Sequence, residues 1–191
     1  LPTGFLMGKA RGLDIRQVGS GNIGATNVFR ALGKPAGIFV LVIDGLKGYA
    51  ASAWLADLAL QHFAADATAL RIVAGLGAVL GHNYTCWLKF RGGKGIATSA
   101  GVLAALVPGA LLISIGVWVV LFAASRYVSL ASIGAAFILP FATWITTKNF
   151  TLIVVTAAMA AMAIYKHRSN IQRLLQGTEH RFGAARKEVR A

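Results

Sequence analysis

IATSAGVLAALVPGALLISIGVWVVLFAA, from Ile96 to Ala124, contains no Asp, Glu, Lys or Arg. It is long enough to be one membrane-crossing helix, since roughly 20 apolar residues span a hydrocarbon core of about 30 Å. It also carries Pro108-Gly109 in its middle, a pair that favours a break because proline lacks an amide donor and crowds the preceding turn. Counting the stretch as one crossing or two inverts the predicted side of everything that follows. The segment from Lys166 to Arg190 holds seven Lys or Arg (166, 168, 173, 181, 186, 187 and 190) against Glu179 and Glu188. Basic loops stay on the cytoplasmic side, so the tail belongs inside, and that requires two helices, Ile96–Val107 and Ala110–Ala124. The first would be too short to cross unaided at about 1.5 Å per residue, which implies a pocket or thinned region at its N-terminal end.

Outward from this stretch the same pattern repeats. Ile72–Leu88, Val128–Thr147 and Phe150–Tyr165 are also free of Asp, Glu, Lys and Arg, and a further span, Ala36–Leu58, carries Asp44 and Lys47 one turn apart. An isolated charge is costly in a bilayer, so these two are expected to pair. The connection Gln61–Thr68 has no Lys or Arg and is read as external; Lys89–Lys94 is read as internal. Arg71 is expected to snorkel at the outer edge of its span, Leu70–Leu88. Leu1–Met7 reads as the remnant of a truncated first helix, and the last ten or so residues are expected to fray. The predicted fold is therefore an all-α integral membrane protein of about seven transmembrane helices in one domain over residues 1–191, N-terminus outside and C-terminus inside.

Composition agrees: 57% of the 191 residues are hydrophobic and 13% charged, too few charges to cover a soluble domain. The net charge of +13 would suggest nucleic acid in a soluble protein. Here the basic residues sit in short loops between apolar runs, and no nucleic-acid-binding motif is present. Cys86 is the only cysteine, which excludes an intrachain disulfide. It is read as a small buried apolar residue beside the interfacial anchors Tyr84 and Trp87. His82 is read as interfacial.

Four polar islands fall on the predicted inner side. Gly19–Asn27 (GSGNIGATN) interleaves glycine with Ser20, Asn22, Thr26 and Asn27, hydroxyls and amides that bind oxyanions without adding charge. Arg30 lies three residues beyond Asn27, on the same face of a helix. Arg91–Gly95 (RGGKG) precedes an apolar helix. Inward-turned amides of Gly92, Gly93 and Gly95, the helix N-terminus and the Lys94 charge together suit an anion. The alternative for each loop is plain: a helix cap in the first, a topology signal in the second. Ser129 and Ser132 in RYVSLAS are candidate ligands or caps, and His167 and Asn170 in KHRSN share a helical face. Neither a metal-protease HEXXH, a GXSXG elbow nor a carboxylate cluster occurs. No histidine has an Asp five residues on: the residues there are Ala67, Trp87, Gln172 and Ala185. No metal or cofactor is called for, and a reaction of an already activated substrate suits this inventory.

GSGNIGATNVFRALGK, DGLKG, GHNY, FRGGKGIAT, RYVSLASI and YKHRSNIQRLLQGTEHRF, in that order, resemble the bacterial acyl-phosphate-dependent glycerol-3-phosphate acyltransferases, the PlsY family. The resemblance covers nearly the whole chain. It implies acyl transfer from acyl phosphate to the 1-hydroxyl of sn-glycerol 3-phosphate, giving lysophosphatidic acid and phosphate, at the cytoplasmic face of the bacterial inner membrane. Partners would be these two substrates, the bilayer and the enzyme that makes acyl phosphate. Ser20, Asn22, Thr26, Asn27 and Arg30 would bind phosphate. Gly92, Gly93, Lys94 and Gly95 would hold phosphate, and Ser129, Ser132, His167 and Asn170 would complete the site. Lys94, Arg30, His167 and Asn170 would take part in catalysis, and Glu179 would tie down the tail. Either His167 or a substrate phosphate oxygen would take the hydroxyl proton. The absence of an orienting carboxylate near His167 in sequence favours a binding role. A transporter or flippase for a phosphorylated lipid is the competing class.

Overall fold

The computed structural model describes residues 1–183 of the chain. Nine helices, and no strands, occur among the described residues: α1 (Thr3–Lys9), α2 (Ala25–Leu32), α3 (Lys34–Leu60), α4 (Ala67–Asn83), α5 (Ile96–Leu106), α6 (Pro108–Ser125), α7 (Val128–Thr147), α8 (Phe150–Lys166) and α9 (Arg168–Leu175). Each of the seven apolar segments read from the sequence overlaps one helix, α1 and α3 to α8, although the segment Leu70–Leu88 runs past the end of its helix. Three of these, α3, α6 and α7, are long and apolar enough to cross a bilayer singly; α8 with α9 makes a fourth candidate, bent by 56°. Their outer faces carry Ile38, Phe39, Leu41 and Val42 on α3, Leu112, Val119 and Val120 on α6, and Phe137, Phe141 and Trp144 on α7. Such exposed apolar faces suit lipid.

The break read at Pro108 is present. Helix α5 ends at Leu106, Val107 leaves the helical region at φ −144°, and α6 starts on Pro108 itself. A residue before proline is pushed out of the helical region, and proline serves well as the first helical residue. Two short helices were not foreseen. Gly24 in extended geometry starts α2 inside the supposed polar loop, and α9 follows the bend at His167. Helix α4 ends at Asn83, so the apolar stretch to Leu88 is a separate turn rather than part of the span. Other starts follow ordinary capping: Asp66 accepts from the Ala69 amide at 2.7 Å and Asn149 from Leu152 at 3.2 Å.

The chain forms two compact units, Leu1–Leu111 and the remainder from Leu112. In the first, Ile15, Ile23, Val28, Ala36, Val40 and Leu88 make a buried cluster under α1 and α2. Helices α3 and α5 pack backbone to backbone. A Cβ on Gly48 would overlap the Thr98 carbonyl, and one on Gly101 would overlap the Gly45 carbonyl. Small residues permit such approach where lipid supplies no hydrophobic drive between helices. Helix α3 also contains a π-turn at Ala51–Leu55, whose buried Ser52 donates to the Arg71 carbonyl at 2.9 Å. Arg71 is not a lone snorkelling charge: its guanidinium pairs with Asp57 at 2.7 Å.

In the second unit, α7 and α8 pack together, and the segment after α9 returns to the start of α7. Phe182 donates its amide to the Arg126 carbonyl at 2.8 Å and sets its ring edge-on to Phe122. Arg186, Lys187, Glu188 and Arg190 of the basic tail, with most of the stretch expected to fray, lie outside the described residues.

Candidate functional site

The first polar loop is shaped from within. Gly19 and Gly21 have φ of +60° and +67°, a region glycine enters without penalty. Asn27, 2% exposed, donates its amide to the carbonyls of Ile15 (3.1 Å) and Val18 (3.0 Å) and accepts the Ser20 amide at 2.9 Å. Its side chain is therefore a scaffold for the turn that carries Ser20. Asn22 likewise accepts from the Gly24 amide at 2.9 Å, setting the residue from which α2 starts. Ser20 and Arg30 are exposed, and Thr26 is half-buried in the first turn of α2. Upstream, the Arg16 guanidinium beside Asp14 holds that carboxyl down at about 2. The two form a bidentate pair at 2.7 and 2.9 Å at the turn into the loop.

The second loop is docked on the C-terminal end of α4. The Gly92 amide donates to the Asn83 carbonyl and the Gly93 amide to the His82 carbonyl, both at 3.2 Å. These two amides are already engaged. That revises the reading in which they turn toward an anion: Gly92 and Gly93 are needed for close approach, since a Cβ on Gly92 would strike the His82 carbonyl and one on Gly93 the His82 ring. The groups suited to an anion lie further on, in Lys94 and the first turn of α5. Gly95, at φ +78°, caps α5 without a side chain, and the first turn of a helix has amides without intrahelical acceptors. Their partial positive charge adds to that of Lys94.

Beneath this loop lies a polar cluster that the sequence reading underrated. His82, read as interfacial, is buried within it. Lys47 reaches the Asp44 carboxylate at 2.5 Å, the Leu1 carbonyl at 3.2 Å and His82 Nδ1 at 2.7 Å, while Thr3 Oγ1 donates to Asp44 at 2.9 Å. The expected Asp44–Lys47 pair is thus present with a third partner. Two opposite charges one turn apart in an apolar span, with a histidine just before a glycine loop, were the available signal. Cys86 is also misread: it is exposed, in the short turn with the exposed Trp87 and two residues past the exposed Tyr84.

In the second unit one carboxylate organises the polar residues. Glu179 accepts from Ser129 Oγ at 2.9 Å, Asn170 Nδ2 at 2.8 Å and Arg173 Nε at 2.7 Å. Burial alone would raise its pKa, but the hydrogen bonds from Asn170, Arg173 and Ser129 and the Arg173 charge outweigh it, and the group is held below the ordinary glutamate range. Ser129 is no helix cap: its hydroxyl proton goes to Glu179. Ser132 donates to the Val128 carbonyl at 2.8 Å and accepts from Trp118 Nε1 at 3.2 Å. His167, 3% exposed, sits at the bend between α8 and α9 with Nδ1 at 2.8 Å from the Ala163 carbonyl. A carbonyl only accepts, so Nδ1 carries a proton and Nε2 is the acceptor of the neutral ring. The orienting group missing from the sequence is a backbone carbonyl.

A family model described as glycerol-3-phosphate acyltransferase matches residues 1–177. The glycerol-3-phosphate acyltransferase of Geotalea daltonii is 46% identical over 182 residues, covering 95% of this chain and 91% of that one. The Aquifex aeolicus protein of the same name is 44% identical over 179 residues, 94% and 91% of the two chains. The crystal structure of PlsY, an integral membrane glycerol 3-phosphate acyltransferase, in its glycerol 3-phosphate form superposes with a TM-score of 0.84 at 43% identity, over 94% of this chain and 88% of that one. Its lysophosphatidic acid form gives 0.82 at 42%, over 96% and 89%.

Proposed function

Because the chain belongs to the glycerol-3-phosphate acyltransferase family and is an integral membrane acyltransferase, we propose that it moves a fatty acyl group from acyl phosphate to the 1-hydroxyl of sn-glycerol 3-phosphate. The products are lysophosphatidic acid and inorganic phosphate, and the reaction is the first step of phospholipid biosynthesis. The observation that carries the reading is the head of α5: a left-handed glycine cap at Gly95 that receives no side-chain capping hydrogen bond, and Lys94 beside it. Acyl phosphate is a mixed anhydride. Its departing phosphate needs charge neutralisation rather than a strong acid, and a lysine with oriented helix amides supplies that. The transporter reading has no place in a member of this family.

In this reading Ser20, Thr26 and Arg30 bind one phosphate, on a turn built by Asn22 and Asn27. Lys94 and the first turn of α5 hold the other, with Gly92 and Gly93 allowing the loop its close seat. Ser132, His167 and Asn170 meet substrate, and Ser129 with Glu179 fixes Asn170. The hydroxyl oxygen attacks the acyl carbonyl, the carbon–oxygen bond to phosphate breaks, and the hydroxyl proton passes to a substrate phosphate oxygen. His167 Nε2 accepts a hydrogen bond from glycerol and orients it. His167→Gln, which keeps an acceptor, is therefore expected to retain turnover within about threefold at saturation and to raise the KM for glycerol 3-phosphate about tenfold. Loss of kcat with KM unchanged would make His167 the base instead. The activity itself is tested by supplying labelled glycerol 3-phosphate with palmitoyl phosphate, palmitoyl-CoA or palmitoyl acyl carrier protein; labelled lysophosphatidic acid is expected only from the first. A pull-down with the enzyme that makes acyl phosphate addresses channelling between them.

We place the protein in the bacterial inner membrane with its polar loops toward the cytoplasm, on the charge asymmetry of its loops. With the exposed Cys86 replaced by serine, a cysteine at Ala65 should label from outside intact cells and one at Ser169 only after permeabilisation. Labelling of the Ser169 position from outside overturns the orientation. Gly92 is unsuited as a probe position, because any Cβ there meets the His82 carbonyl.

A further inference from the structure

Asp44, Lys47 and His82 are buried or nearly so, yet the reaction as proposed gives none of them a step. Their hydrogen bonds fix one arrangement. An ammonium has three donors and no lone pair; Lys47 directs them at Asp44, the Leu1 carbonyl and His82 Nδ1. His82 Nδ1 is therefore an acceptor and the ring proton is on Nε2. Lys47 thus holds the imidazole in one tautomer and one orientation, and Asp44, itself held by Thr3, fixes Lys47. The far side of that ring fills the space a side chain on Gly93 would need, and the His82 carbonyl accepts the Gly93 amide. Gly93 is one residue from Lys94.

We propose that Asp44, Lys47 and His82 are a positioning relay for the glycine-rich loop, which sets the height of Lys94 and the α5 N-terminus against the phosphate they hold. The proposal rests on reading that loop as a phosphate site. His82 acts through Gly93: the ring is a buttress, and its orientation is set by a lysine on α3, 35 positions away in sequence. Such a residue changes how tightly the anion is held more than it changes the overall stability of the packed helices.

The test is a double-mutant cycle in purified protein: wild type, His82→Ala, Gly93→Ala and the double variant. Phosphate release is measured while each substrate is varied. Thermal stabilisation by glycerol 3-phosphate and by inorganic phosphate is measured alongside, without need of turnover. Gly93→Ala is expected to raise the KM of a phosphate-bearing substrate about tenfold or more, and His82→Ala about fivefold. The double variant should fall below Gly93→Ala alone, because the vacated ring space accepts the new methyl group; contacting residues show such coupling. Multiplying effects in the double variant, or a lower melting temperature with unchanged KM in His82→Ala, overturns the proposal. If His82→Ala does not accumulate, Lys47→Gln, which leaves the ring but releases its orientation, carries the same expected KM increase, and a wild-type KM there also overturns it. A wild-type protein stabilised by either anion but inactive would sink the acyl-transfer reading alone, and the relay would then be judged on the stabilisation data. A wild-type protein with neither response sinks both.

Discussion

Lys94→Ala is expected to lower turnover roughly 100-fold or more, the usual loss when one transition-state charge stabiliser is removed. Negative charge grows on the phosphate as the acyl–oxygen bond breaks, and an interaction that strengthens at that moment acts on kcat rather than on KM alone. The loop itself should survive the change. Its seat on α4 is made by the amides of Gly92 and Gly93, and its close approach depends on the glycines on either side. The variant should therefore accumulate and melt like the parent. Lys94→Arg keeps the charge but spreads it over a larger planar group, and a partial recovery is expected. Wild-type kinetics in Lys94→Ala would reduce the loop to a topology signal.

Glu179→Ala is expected to cost on the order of 3 kcal/mol, because Asn170 and Ser129 lose the acceptor they share within a largely buried site. The consequence differs from that of Lys94: lowered melting temperature, proteolysis of the segment after α9, and low activity through misplacement of Asn170. Glu179→Gln retains an acceptor oxygen and should recover most of the stability. The pH dependence has a definite sign. The folded pKa is lowered, so this contribution is present above the unfolded value and is lost as pH falls through the folded one. Melting temperature should decline on acidification below the ordinary glutamate range, and the decline should be shallower in Glu179→Gln. Equal melting temperatures for parent and Glu179→Ala at neutral pH would show the carboxylate to be dispensable.

How much of this was legible depends on the range of the interactions involved. The break at Pro108 was readable because it is a local clash, and the seven apolar segments were readable because a bilayer demands length. The Glu179 anchor was anticipated only through the resemblance of the tail motif; its three donors come from Ser129, Asn170 and Arg173, up to 50 positions away in the chain. Short helix α2 was hidden because its polar residues resemble a loop, although they build the turn from which it starts. The role of Gly92 and Gly93 was misjudged for a related reason. Glycine in a sequence signals either a free amide or a close approach, and only the position of His82 and Asn83 decides between them. His82 was underrated because its partner, Lys47, lies on another helix.

Transfer from acyl phosphate requires that each acyl group moved releases one phosphate. The most direct measurement follows inorganic phosphate and lysophosphatidic acid together in one reaction of purified protein with palmitoyl phosphate and glycerol 3-phosphate. Acyl-phosphate transfer predicts equal amounts of both products, rising together and absent when either substrate is withheld. Phosphate released without glycerol 3-phosphate, or lysophosphatidic acid formed without phosphate, would contradict it.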